Sequence, residues 1–160
     1  MQKTVVKADI PQPAAPALPP AQVAAIIFTG HNLFAQGRLK EARSLFEGLA
    51  LFQPDNAYAH GILGAIHQKL QSHKASWIHY TIALRHAPND IHLLTNRGEL
   101  LLSKGALRKA ADDFGKALSL DPDRKHPMSA RLRMLIAMTL EKLKDTKQDA
   151  QGSKARSAKS

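Results

Sequence analysis

The chain has 160 residues and no cysteine, which excludes disulfides, thiolate metal sites and cysteine nucleophiles and is compatible with a reducing cytoplasm. Its formal net charge is +10, and 44% of its residues are hydrophobic but only 5% aromatic, a balance and length that suit one domain. No apolar run approaches the roughly 20 residues of a membrane span, and the N-terminus lacks the continuous apolar core of a secretory signal.

Residues 1–20 contain Pro11, Pro13, Pro16, Pro19 and Pro20 among alanines, which predicts an extended, flexible segment. Beyond it the sequence keeps a step of 34 residues. Pro54, Pro88 and Pro122 share it, and so do Gly30, Gly64 and Gly98. Ala42, Ser76 and Ala110 form a small-residue column, and Phe46, Tyr80 and Phe114 an aromatic one. Ile26, His60 and Leu94 align, as do Leu33, His67 and Leu101. Gly37 and Gly105 mark internal turns of units one and three, where unit two has Gln71.

Small columns let two helices approach closely, and the aromatic fills the space between them. The proline is tolerated at the first turn of a following helix, where a missing N–H costs nothing. This pattern predicts helices at 22–36, 39–52, 56–70, 73–86, 90–104 and 107–120. Asp55, Asn89 and Asp121, beside the prolines, are predicted caps. Met128, Leu132, Leu135, Ile136 and Leu143 share one face of a seventh helix at 127–144. Residues 142–160 hold six Lys/Arg and two Asp, a charge of +4, and 145–160 read as a disordered, solubilising tail.

One helical pair cannot bury its apolar face alone, whereas stacked units share a core. The expected fold is all-α: a right-handed superhelix of three tetratricopeptide repeats with a C-terminal capping helix. The repeats are placed at 23–56, 57–90 and 91–124, within a domain spanning 21–144.

Eight histidines show no H-E-x-x-H and no pair three or four apart on one helix, so no metal site is expected. His60 and His67 fall on packing columns; His73, His79, His86 and His126 are assigned to helix surfaces or loops. Asp112 and Asp113 are adjacent and point to different helix faces, so they lack the facing pair of acid–base catalysis. No enzyme activity and no cofactor are expected. The repeats show no base-reading code, and nucleic acid is not the expected partner.

The first helix of each pair should line a concave face. Following the register, its side chains include Ile27, His31 and Phe34 in unit one, Tyr58, Ala65, Gln68 and Lys69 in unit two, and His92, Thr95 and Glu99 in unit three. An extended peptide would place apolar side chains near Phe34 and Tyr58, with Gln68, Lys69, Thr95 and Glu99 meeting its backbone. Pro16-Ala17-Leu18-Pro19-Pro20 has the look of such a peptide and is a candidate to occupy the groove of its own or a neighbouring chain. The Lys/Asn/Arg clamp by which some co-chaperones grip a terminal carboxylate is missing, since the matching positions include Ile27, His31, Ile62, His92 and Asn96.

Three stretches resemble the class II chaperones of bacterial type III secretion: Gly37 to Leu49, Gly61 to Leu70 followed by Trp77-Ile78-His79-Tyr80, and Arg97 to Ala110. The resemblance covers about residues 21–144. It implies a bacterial cytoplasmic, often dimeric, ATP-independent chaperone that holds hydrophobic translocator proteins before export. It also implies a groove for a Pro-x-Leu-x-x-Pro-like segment, with Phe34 and Tyr58 at its aromatic or apolar positions and Ala65 and Gln68 on the unit-two wall. The alternative reading is a repeat scaffold joining subunits of another bacterial assembly.

Overall fold

The computed structural model describes residues 18–157, with side-chain surroundings through residue 148. The described residues form seven helices and no strand: α1 (Pro20–Ala35), α2 (Leu39–Phe52), α3 (Ala57–Lys69), α4 (His73–His86), α5 (Ile91–Ser103), α6 (Leu107–Ser119) and α7 (Ser129–Ser157). The first six pair as three helical hairpins, α1 with α2, α3 with α4 and α5 with α6, and α7 packs on α6. All six lie within two residues of the expected spans.

Turn chemistry sets these boundaries. Each hairpin turns through a left-handed residue: Gly37 at φ +75°, Gln71 at +59° and Gly105 at +70°. The amides of Arg38, Ser72 and Ala106 then reach back to the carbonyls of Leu33, His67 and Leu101 at 2.8–2.9 Å, closing a Schellman-type stop. Caps differ from expectation. Asn56 accepts the amide of Ala59, and Asp90 that of Leu93, both at 2.9 Å, so the cap lies one residue beyond Asp55 and Asn89. Pro54 and Pro88 stand in the connections two residues after α2 and α4, not in a first helical turn.

The glycine and aromatic columns explain each other. A Cβ on Gly30 would lie 2.7 Å from the Phe46 ring, one on Gly64 2.6 Å from Tyr80, and one on Gly98 2.4 Å from Phe114. Each ring lies directly over the facing helix, and Phe46, Tyr80 and Phe114 are at most 1% exposed. Burying one such ring stabilises the fold by roughly 1.5–3 kcal/mol. The small column, Ala42, Ser76 and Ala110, is fully buried, and the Ser76 hydroxyl donates to the Gly64 carbonyl at 2.8 Å. The core forms two clusters. One gathers Phe46, Leu49, Leu63 and Ile66, the other Tyr80, Leu94, Phe114 and Leu132.

The ends depart from the sequence reading. Leu18 packs on the first core cluster, and the Pro19 carbonyl accepts the amides of Gln22 and Val23. Leu18 and Pro19 therefore lead into α1 and do not occupy the groove of their own chain. Residues 1–17 of the expected flexible segment lie outside the described residues. At the other end α7 begins at Ser129, after Pro127, and continues through Ser157. Residues 145–157 are thus helical where disorder was expected. They contain no proline, and Lys, Gln, Ala and Arg are good helix formers that outweigh the single Gly152. Residues 158–160 of that tail lie outside the described residues.

Asp121 ties α6 to α7 instead of capping a helix alone. Its carboxylate accepts the amides of Lys125 and His126 at 3.0 and 3.1 Å and the hydroxyl of Ser129. The Ser129 hydroxyl, ahead of those amides, holds the carboxyl below its ordinary pKa. Leu132, Leu135 and Thr139 are the buried face of α7.

Candidate peptide-binding groove

The first helices of the three units, α1, α3 and α5, jointly line an open cavity of about 620 Å³. His31 enters from α1. Tyr58, Gly61, Ile62 and Ala65 come from α3, and His92, Leu93 and Asn96 from α5. A second opening of about 490 Å³ lies between α1 and α3, lined by Ala24, Ile27, Phe28, His31, Asn32 and Tyr58. His31 and Tyr58 border both, so the two openings form one continuous groove.

Four columns of the repeat build its wall: Ala24, Tyr58 and His92; Ile27 and Gly61; Phe28, Ile62 and Asn96; His31 and Ala65. Two aromatic side chains stand open in the groove, Tyr58 in the first turn of α3 and Phe28 on α1. Tyr58 is 44% exposed, with its ring centroid 6.2 Å from that of Phe46, and burial of the remainder raises its phenol pKa. Phe28 is 70% exposed, a large apolar side chain with no covering neighbour. Gly61 keeps the floor deep, because a Cβ there would lie 2.7 Å from Leu93 Cδ2. Polar groups sit at the margin. Asp90 is engaged by the Leu93 amide, and His92 lies edge-on to His126 with centroids 4.9 Å apart.

Beyond α5 the surface changes character. Glu99 receives both Arg131 Nε and Nη2, at 2.6 and 2.7 Å, joining α5 to α7. The Tyr80 hydroxyl donates to Gln68 Oε1 at 3.1 Å. Burial, reinforced by Glu99 and opposed by Arg131, pushes the Tyr80 phenol well above its ordinary pKa.

The sequence-derived residues therefore divide. Ile27, His31, Tyr58, Ala65 and His92 line the cavities. Phe34 packs against the first core cluster, with Lys69 Nζ 5.5 Å from its ring centroid, and lines neither cavity. Gln68 and Glu99 are already held by Tyr80 and Arg131. Thr95 is fully buried and donates to the Ile91 carbonyl at 2.7 Å, so it does not reach a peptide. Its column turns inward where Leu93 covers Gly61. Phe28, Asn32, Leu93 and Arg131 went unrecognised. The signal for Phe28 was its column, since 28, 62 and 96 follow the 34-residue step with two apolar residues out of three. His79, assigned to a surface, is instead stacked between His60 and His67. Among the described residues no group of three His, Asp or Glu could hold a metal ion.

This hairpin stack and inward groove are the architecture of a tetratricopeptide-repeat array. Residues 91–124 match the Tetratricopeptide repeat family. The chain is 27% identical over 124 residues to the Homo sapiens DnaJ homolog subfamily C member 3, covering 78% of this chain and 25% of that protein. It thus spans about a quarter of the length of the curated relatives it matches. Among solved structures, the Yersinia enterocolitica type III secretion translocator chaperone SycD superposes with a TM-score of 0.73 at 18% identity, covering 79% of this chain and 89% of SycD. PcrH in complex with the chaperone binding region of PopD gives 0.71 at 20%, covering 78% and 95%. The TPR2B domain of yeast Sti1 gives 0.70 at 13%, covering 76% and 98%. These likenesses establish the fold, one shared by translocator chaperones and by other peptide-bound repeat domains. No helix among the described residues is long and apolar enough to cross a membrane.

Proposed function

We propose that this chain is a non-catalytic, ATP-independent chaperone that holds an extended segment of a type III secretion translocator in its groove within the bacterial cytoplasm. The observation that carries this reading is the single apolar groove across α1, α3 and α5, open at Phe28 and Tyr58. An extended segment of a few residues fits a groove lined by apolar side chains with polar groups at its margin. Two structural neighbours support the choice of client, being solved with the chaperone binding region of PopD and with a peptide of the translocator YopD.

The test is fluorescence anisotropy with a labelled Pro-x-Leu-x-x-Pro peptide and the full chain. Micromolar binding is expected, with at least a tenfold loss in Phe28→Ala/Tyr58→Ala at unchanged helicity. A folded wild type that ignores the peptide would overturn the reading. A scaffold role would then take precedence. It is favoured by Leu51 (77% exposed), Trp77 (43%) and Ile78 (40%), apolar side chains on α2 and α4 that line neither cavity.

A further inference from the structure

Unit two departs from its neighbours at three positions that converge in space. His60 stands where Ile26 and Leu94 stand, His67 where Leu33 and Leu101 stand, and His79 where Leu45 and Asp113 stand. In the fold these three imidazoles form one stack between α3 and α4. The rings of His60 and His79 have centroids 5.3 Å apart at 27°, and those of His67 and His79 5.2 Å apart at 5°.

The hydrogen bonds determine where the protons lie. A carbonyl only accepts, so His60 Nε2, 3.1 Å from the Pro54 carbonyl, carries a hydrogen. In the neutral ring His60 Nδ1 is then a lone pair. It accepts from His79 Nδ1, 3.1 Å away, which makes His79 the Nδ1–H tautomer. A second proton on His60 would place two hydrogens between those nitrogens unless His79 moved its own to Nε2. His67 Nδ1 is buried without a partner, so a proton added there would also find no acceptor. The hydrogen bonds are satisfied with all three rings neutral, whereas charges on His79 and either neighbour would stand 5.2–5.3 Å apart.

The surroundings reinforce this. On α2, Arg43 and Glu47 pair at 3.4 Å beside His67; Arg43 disfavours its protonation and Glu47 favours it. On α4, His86 adds repulsion at His60. The charged groups of α5 are engaged elsewhere: Arg97 with Asp113, Glu99 with Arg131, Asp90 with the Leu93 amide and His92 against His126. Burial, the largest cause, lowers the pKa of all three histidines, and burial with added repulsion from His60 and His67 takes His79 down to about 4.

We propose that the His60–His79–His67 stack is a pH-sensitive clasp between α3 and α4, closed when the rings are neutral and opened by acid. Its consequence for the groove follows from α3 itself. This helix carries His60 and His67 toward α4 and presents Tyr58, Ile62 and Ala65 to the cavity. Loosening the clasp therefore frees one wall of the groove, and that second step rests on the peptide-binding reading above.

The direction is set by linkage. Unfolded histidines take up protons near pH 6.5, before the folded ones do. Stability is undiminished above about pH 7 and declines as the pH falls from about 6.5 toward 4. At pH 5.5, one unit below the unfolded value, His79 alone lowers the folding equilibrium constant about tenfold.

The experiment is a pH series of thermal melts by circular dichroism, paired with NMR titration of the histidine ring resonances, on the full chain. The comparison variant is His60→Leu/His67→Leu/His79→Leu, whose leucines occupy equivalent columns in the sister units. His31 and His92, which line the cavity, stay in place. In wild type Tm should fall between pH 7.5 and 5.5 and the His79 ring should titrate below pH 5. In the variant the fall should be clearly smaller. A His79 midpoint near 6.5 in the folded protein, or an equal fall in both chains, would overturn the clasp. Should the triple variant not fold, the His79 titration in wild type decides alone. Neither readout uses a client, so failure of the clasp and failure of the chaperone reading are distinguishable.

Discussion

Units two and three are both helical hairpins, α3 with α4 and α5 with α6, and solve the same packing problem with different chemistry. Unit three uses the repeat's preferred residues: glycine at its turn, alanine in the small column and phenylalanine over Gly98. Unit two substitutes Gln71, Ser76 and Tyr80 at those places and adds three histidines. Gln71 stays exposed at the turn, but the other substitutions bring polar atoms into or beside the core, and most find a partner. Ser76 has the Gly64 carbonyl, Tyr80 has Gln68, and His60 has both Pro54 and His79. The lesson is that a repeat position specifies shape before polarity. A polar group is accepted wherever geometry supplies its hydrogen bond.

One column shows the contrast most sharply. It holds Leu45, His79 and Asp113 in successive units. Unit three meets its buried carboxylate with a guanidinium: Arg97 donates through Nε and Nη2 to Asp113 at 2.8 and 2.7 Å, and the Asp113 side chain is 8% exposed. Arg97→Ala should therefore be the most damaging of the changes considered, at about 2–3 kcal/mol, because it strands a buried charge. Urea unfolding would measure it. A loss below about 0.5 kcal/mol would place the pair among solvated surface bridges and erase the distinction between the units.

The turn comparison is a reciprocal exchange. Gln71 adopts φ +59° where Gly105 adopts +70°. A side chain in that region costs about 1 kcal/mol relative to glycine. Gln71→Gly should then stabilise by about that amount and Gly105→Gln should destabilise equally. Opposite shifts of equal size in the urea midpoint would show that the two turns are interchangeable. A shift at only one position would mean that Gln71 makes a compensating contact.

Helix ends and the core were legible because their constraints recur at a fixed step. Gly30 over Phe46 and Gly98 over Phe114 are the same contact written twice. The groove was read less fully. In the column 27/61/95, Ile27 and Gly61 line the openings but Thr95 is buried, while Phe28, Ile62 and Asn96, one position later, line them in all three units. A rotation of about 100° per residue separates adjacent columns, and the 34-residue step alone does not say which one faces inward. Glu99 has its partner 32 residues away on α7, a helix the repeats do not count. The histidine stack joins residues 19 apart on different helices. Its signal was the coincidence of three departures in one unit, visible only when columns are compared by unit.

The mildest change tests whether polarity in unit two is tolerated or needed. Ser76 is fully buried, and Ala42 and Ala110 show that a methyl fits its column. Its hydroxyl donates to a helix carbonyl that also accepts from the backbone, so removing it leaves no orphaned donor and an acceptor still in use. Ser76→Ala should cost only about 0.5 kcal/mol. A loss above about 2 kcal/mol would show that the hydroxyl fixes the approach of α3 and α4. The histidine stack would then depend on Ser76 for its spacing, because both contacts span the same pair of helices. A near-neutral result leaves the three imidazoles as the feature by which this hairpin differs in its response to acid.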